Sequence, residues 1–194
     1  KVDKVIARVR HSIPGVGLIS GAMDVIGAAN PKYTQKLRLL REIMKLYVDY
    51  TVLDLGSGGG IDVFLAAIKI GPQGKAIGVD MTEQMVDKSN RTAKDKGYQN
   101  VEFRLGEIEK LPVSNSSVDT IINNCVINLS TDKSKVFREA YRVLKPGGKL
   151  VISDIVSERP LARKMQDDLV SWSQCVSGAM QRDQYLSKIV EAGF

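Results

Sequence analysis

The segment Asp54-Leu55-Gly56-Ser57-Gly58-Gly59-Gly60 follows directly on the apolar run Thr51-Val52-Leu53 and precedes a helix-like stretch from Ile61 to Ile70. A strand that turns on glycines into a helix is how an α/β protein brings backbone amides against a nucleotide-like ligand. This one segment therefore points to an open, mostly parallel sheet with helices on its faces. The spacing narrows the ligand. A pyrophosphate cradle of the form G-x-G-x-x-G needs its third glycine at position 61, which is Ile61, and the spacing here is G-x-G-x-G. Asp54 beside the loop is a poor neighbour for phosphates. It is a good one for a ligand carrying an amino group and a sulfonium, which favours S-adenosylmethionine over a nicotinamide dinucleotide.

From residue 51 onward, strand-like and helix-like segments alternate, as parallel sheets with crossover helices require. Strands are expected at Thr51–Leu55, Lys75–Val79, Asn100–Leu105, Val118–Asn123 and Lys149–Ile155. Helices are expected at 61–70, 82–96 and 132–144, with further helical segments from Leu161 to Ser177 and from Arg182 to Glu191. Turn signals at Gly71-Pro72-Gln73-Gly74 and Lys145-Pro146-Gly147-Gly148 precede the second and fifth strands. Thr82, followed by Glu83, reads as an N-cap. The first 50 residues fall outside the alternation and are expected to form a helical N-terminal extension or cap on a domain over 51–194. Glu191-Ala192-Gly193-Phe194 looks like a helix exit towards strands that are missing, which would leave the fifth strand as an exposed edge.

A chain of 194 residues suits a single core, and 43% hydrophobic and 26% charged residues are those of an ordinary globular protein. The most apolar stretch, Ile13 to Ala29, contains Pro14, four glycines and Asp24, which argues against a membrane span. Two cysteines are too few for a disulfide framework, so a reducing, cytoplasmic setting is expected. They are also too far apart for the paired cysteines of a structural zinc site, and no metal is expected. The net charge of +6 is uneven, because residues 1–50 carry nine Lys or Arg against four Asp or Glu. Such a leader could touch nucleic acid. The plainer reading is a solvated helix, since Lys32, Lys36, Arg38, Arg41 and Lys45 alternate with Leu37, Leu40, Met44 and Tyr47 at helical spacing.

Ligands of such sheets bind at the carboxyl ends of the strands. After the second strand stands Asp80, placed to accept from both ribose hydroxyls of an adenosine. After the third come Gly106, Glu107 and Ile108, where the carboxylate could accept from the adenine amino group and Ile108 could cover the ring. After the fourth come Asn123-Asn124-Cys125-Val126. Cysteine often only fills space in a core, but Cys125 lies where a donor methyl is expected; Cys175, in the later helical segment, reads on packing grounds as structural. The only histidine, His11, lies outside the sheet domain. Without a histidine base in the cleft, the acceptor is expected to need no deprotonation at the moment of transfer.

With Asp54–Gly60, Asp80-Met81 and Leu144-Lys145-Pro146-Gly147-Gly148, residues 51–194 resemble the class I S-adenosylmethionine-dependent methyltransferases, a Rossmann-like α/β fold. Arg104-Leu105-Gly106-Glu107-Ile108-Glu109-Lys110-Leu111-Pro112, Asn123 to Ser130 and Cys175-Val176-Ser177-Gly178-Ala179 are similar to arsenite methyltransferases. The resemblance implies cofactor contacts at Asp54, Gly56, Ser57, Gly58, Gly60, Asp80, Met81, Gly106, Glu107, Ile108 and Asn124. It implies that Cys125 and Cys175 bind trivalent arsenic as thiolates, arsenic being the substrate. Arsenic(III) bound to sulfur keeps a lone pair and needs no base, and soft thiolates suit it. Family members usually carry further cysteines upstream of the glycine loop and this chain has none, so a small thiol such as glutathione would supply the third ligand, or the chain would handle only methylated arsenicals, or would have left arsenic altogether. Two alternatives stay open: a small-molecule methyltransferase acting on a quinone-like or other organic acceptor, and a non-catalytic cofactor-binding or RNA-associated protein. The oligomeric state is not legible.

Overall fold

The computed structural model describes residues 48–158 and 177–194 in full, together with the backbone of residues 2–10 and 24–26. The strands are β1 (Val2–Arg10), β2 (Asp24–Ile26), β3 (Thr51–Leu55), β4 (Lys75–Asp80), β5 (Val101–Leu105), β6 (Val118–Asn124) and β7 (Leu144–Ser157). The helices are α1 (Ile61–Ile70), α2 (Glu83–Asp95), α3 (Lys133–Val143) and α4 (Arg182–Glu191), with a short 3-10 turn at Ile127–Leu129. The strands form one sheet in the order β2-β1-β7-β6-β3-β4-β5. All the pairings among β3 to β7 are parallel. From β3 the chain runs outward to β4 and β5, and then returns to the other side of β3 for β6 and β7. The strand order reverses between β3 and β6, and a crevice opens at their carboxyl ends. The glycine turn follows β3 and Cys125 follows β6, so the topology brings the two motifs to one place.

The inner strands are buried on both faces, which is why β3, β4 and β6 are mainly apolar, while the edge strand β5 is only partly covered. Leu53, Leu55, Ile77, Val79 and Ile121 pack on one side with Phe137 of α3 and Tyr185 of α4. Val52, Ala76, Ile122 and Val151 pack on the other with Val63, Ala67 and Ile70 of α1 and with Phe103. Phe137 and Tyr185 meet edge to face at 5.3 Å. Arg142 fastens the segment after β5 to α3: its guanidinium donates to Val113 O at 2.9 Å and Leu111 O at 3.1 Å, and Glu139 holds it at 2.7 Å. Glu139 also accepts from Leu111 N at 2.8 Å.

Three expectations need correction. The helical reading of residues 1–50 fails at Val2–Arg10 and Asp24–Ile26, which are strands. β1 runs antiparallel to β7 from Val2 opposite Ser157 to Arg10 opposite Lys149, and β2 pairs with β1. The unsatisfied backbone edge of β7 offers a ladder to the β-branched Val2, Val5, Ile6 and Val9, and that tertiary partner outweighs local pattern. The fifth parallel strand is therefore not an exposed edge. Next, Lys145-Pro146-Gly147-Gly148 does not precede its strand but loops out within β7. Val118 pairs with Leu144 and Thr120 with Lys149, so Asp119 alone faces the four looped residues. Lys145 Nζ reaches back to both Asp119 oxygens at 2.9 and 2.8 Å. Finally, Thr82 flanks α2 but its side chain makes no capping bond; its amide donates instead to Asp80 Oδ1 at 2.9 Å. The helix proposed over Lys32–Tyr47 and residues 159–176, which hold Cys175, lie outside the described residues. Among the described residues no helix is long and apolar enough to cross a membrane.

Candidate active site

The glycine turn needs its glycines for stated reasons. Gly56, Gly58 and Gly60 have φ of 66°, 51° and 83°, the left-handed region that side chains resist. At Gly56 a Cβ would stand 2.4 Å from Val126 Cγ1. At Gly58 and Gly59 a Cβ would meet nothing within 4 Å, so this side of the turn faces open space where a ligand can approach the backbone. The turn is tied down from below: Ser57 N donates to Val79 O at 3.0 Å, Gly60 N to Ser57 O at 2.9 Å, and Ser89 Oγ to Gly58 O at 3.0 Å. Ser57 Oγ is buried without a partner and packs where a side chain on Gly78 would have to go. Gly78 thus belongs to the site, although sequence reading passed over it.

Asp80 lies at the end of β4, 9% exposed. Its Oδ2 accepts from Gly58 N at 2.8 Å and its Oδ1 from Thr82 N. Each oxygen has one lone pair spoken for and one to offer, which fits the diol-binding role expected of it. Gly106 N donates to Asp80 O at 3.0 Å and so brings the third motif alongside. Glu107 there is exposed, but Ile108 packs into the core with Leu53 and Leu111. The apolar side chains left open on this rim are Met81, 73% exposed, and Leu105, 53% exposed. Of these, Met81 was anticipated and Leu105 was not.

Asp54 is 4% exposed and no described residue donates a hydrogen bond to it. Burial, then the carboxylates of Asp62 and Asp80, hold its pKa well above the ordinary carboxylate value. Asp62, in the first turn of α1, was missed in the sequence because an acid at a helix start reads as a dipole partner. Asn124 Nδ2 lies 3.5 Å from Asp62 Oδ2, a long contact linking β6 to α1. A raised folded-state pKa means that the unfolded chain ionises first, so stability falls as pH rises from the ordinary carboxylate range through the raised value. Asp54→Asn is therefore expected to unfold at a higher temperature than the parent protein at pH 7. In thermal melts the advantage should shrink towards nothing as the pH approaches 4.

Cys125 is half-buried at the end of β6, in a left-handed conformation with φ 62°. Its amide donates to Ser153 O at 2.8 Å. Val126, the next residue, presses on Gly56, so the segment that carries Cys125 runs beside the glycine turn. Behind it lies a buried pair that sequence reading did not find: Tyr185 OH donates to Asp154 Oδ2 at 2.8 Å, and both residues are fully buried. Asp154 is held well above the ordinary carboxylate pKa, chiefly by burial and next by the charge of Cys125; Tyr185 and Lys133 oppose the shift. Lys133, 6% exposed, donates to Ser130 O at 2.9 Å. Cys175 lies outside the described residues, so its place relative to Cys125 is not described.

A strand order that reverses beside a glycine turn, with a ribose-ready acid after the next strand, is shared by many enzymes. The methyltransferase-domain family matches residues 46–193, most of the chain. The chain belongs to the methyltransferase domain family. Within that family the domain is 50% identical over 188 residues to an arsenite methyltransferase of Halobacterium salinarum, a match covering 96% of this chain and 46% of that protein. It is 40% identical over 138 residues to the human arsenite methyltransferase, covering 66% of this chain and 37% of the relative. Among solved structures, it superposes with a TM-score of 0.70 and 38% identity on an arsenic(III) S-adenosylmethionine methyltransferase from Chlamydomonas reinhardtii, covering 75% of this chain and 52% of that one. The methyltransferase domain thus spans less than half the length of these curated relatives.

Proposed function

We propose that this domain transfers the methyl group of S-adenosylmethionine to trivalent arsenic held by Cys125 and Cys175. The observation that supports the reading is the close approach of Val126 to Gly56, which brings the segment after β6, with Cys125 next to Val126, beside the glycine turn. The arsenic chemistry of the relatives named above points the same way.

When bound, the cofactor supplies a methyl carbon made electrophilic by a positive sulfur. The chain's own residues do the rest. The backbone of Gly58 and Gly59 faces the space where such a ligand fits. Asp80 offers its remaining lone pairs to a ribose, and Met81 and Leu105 offer apolar cover to a ring. Asp54 and Asp62 supply negative charge to a cationic ligand. Cys125 holds the substrate arsenic as a thiolate, and Cys175 is its proposed second ligand. Arsenic brings its own lone pair, so no side chain has to remove a proton, in keeping with a single histidine at position 11. Catalysis is then mostly positioning. With two cysteines in the sequence, a small thiol such as glutathione completes the arsenic coordination, and a reducing cytoplasm suits that thiol chemistry.

The test is incubation of the protein with S-adenosylmethionine, arsenite and glutathione, with mass spectrometry of the products. Methylated arsenic with consumption of the cofactor is expected. Cofactor binding without any methylated arsenical would overturn the substrate and leave an organic acceptor as the better reading.

A further inference from the structure

Three carboxylates flank the glycine turn, with Asp62 in the first turn of α1 and Asp80 at the end of β4 both acting electrostatically on Asp54 of β3. They do not behave alike. Asp80 is held by two backbone amides, and Asp62 lies beside Asn124. Asp54 is 4% exposed, accepts from no described residue, and the charged groups acting on it are the other two acids. Among the described residues no three His, Cys, Asp or Glu are grouped closely enough to hold a metal ion. A buried acid with no donor and two like charges beside it either keeps its proton or meets a cation. The open space over Gly58 and Gly59 leaves room for a ligand beside the same turn.

We propose that Asp54 reads the charge on the cofactor's sulfur: it is protonated before binding, releases its proton to solvent when S-adenosylmethionine binds, and regains one when the sulfur has become neutral in S-adenosylhomocysteine. The inference rests on the proposed cofactor site. The two ligands share their amino, carboxylate, ribose and adenine groups and differ by one methyl and one positive charge, so shape alone separates them poorly. A carboxyl that ionises only against a sulfonium adds a charge criterion. It favours entry of the donor and departure of the spent product. By linkage, affinity for S-adenosylmethionine rises with pH by up to about tenfold per unit below the pKa of Asp54 and levels off above it. Affinity for S-adenosylhomocysteine lacks that slope.

The experiment is calorimetric titration of both ligands into the protein from pH 5 to 8, in pairs of buffers with different ionisation enthalpies, which counts protons exchanged per ligand bound. S-adenosylmethionine is expected to release more protons than S-adenosylhomocysteine, by up to about one at the optimum pH. Asp54→Asn should remove the excess, and Asp62→Asn should move its maximum to lower pH by relieving a like charge. Equal proton exchange for the two ligands at every pH overturns the inference and leaves the cofactor site standing. Failure of both ligands to bind overturns the inference and the cofactor site together. An excess that persists in a folded Asp54→Asn protein overturns the assignment to this residue, and if that variant does not bind, an unmoved maximum in Asp62→Asn does the same.

Discussion

Cys125→Ser is expected to lower arsenite methylation by at least about a hundredfold, the scale on which losing the group that fixes a reacting atom costs an enzyme. A serine hydroxyl is nearly the same size but is a hard, weakly acidic oxygen that does not replace a thiolate on arsenic. The backbone at this position asks nothing of the sulfur, because Cys125 N bonds to Ser153 O in either case. Binding of S-adenosylmethionine should therefore stay within a few-fold of the parent value when titrated alongside. Methylation at the parent rate in this variant would remove Cys125 from the arsenic site. Weak methylation together with weak cofactor binding would mean that the residue supports the crevice rather than the substrate.

Gly56→Ala is expected to weaken cofactor binding by about 30-fold or more and to lower the melting temperature. Two costs add at this position. The φ of 66° costs an L-residue about 1–2 kcal/mol, and pressing a methyl into a packed wall costs about 1–3 kcal/mol. That wall is Val126, whose side-chain carbons lie 2.4–2.8 Å from the new Cβ. Val126 must yield, and Cys125 is bonded to it, so arsenite turnover should fall along with cofactor affinity. Gly59→Ala is the matched control: a Cβ there meets nothing within 4 Å and its φ lies outside the strained region. Thermal melts and cofactor titration of the pair separate strain in the turn from blockage of the ligand. A Gly56→Ala protein that binds and melts like the parent would show that the turn is softer than its geometry implies.

The inner strands were legible because they are buried on both faces, so β3 and β4 read as mainly apolar runs between turn residues, whereas the edge strand β5 alternates apolar with charged residues. Asp80 stood out in the sequence from its place after a strand, and in the structure it accepts from the amides of Gly58 and Thr82. What stayed hidden depends on partners far away in the chain. Beyond its β-branched residues little local marks Val2–Arg10 as a strand, since its ladder is made with residues 149–157. Gly78 carries no motif and matters because Ser57 occupies the space beside it. Asp154 and Tyr185 lie 31 positions apart and become a pair only when α4 packs on the sheet. Ile108 was assigned to a ligand, yet its side chain goes to the core and leaves Met81 and Leu105 on the rim. Alternation tells which residues are buried and leaves open which of several apolar side chains at a crevice is turned inward.

The long ladder between β1 and β7 also bears on how the chain is made. Val2 pairs with Ser157 and Arg10 with Lys149, so this part of the sheet spans most of the polypeptide. On the ribosome, the residues of β1 emerge well before those of β7 exist, and closing so large a loop is slow compared with the neighbouring pairings of β3 and β4. An early segment rich in valine and isoleucine must therefore wait, exposed to other nascent chains, while the α/β units assemble behind it. Lys4, Arg8 and Arg10 are spaced through that same segment, and like charges of this kind keep waiting strands from pairing with one another.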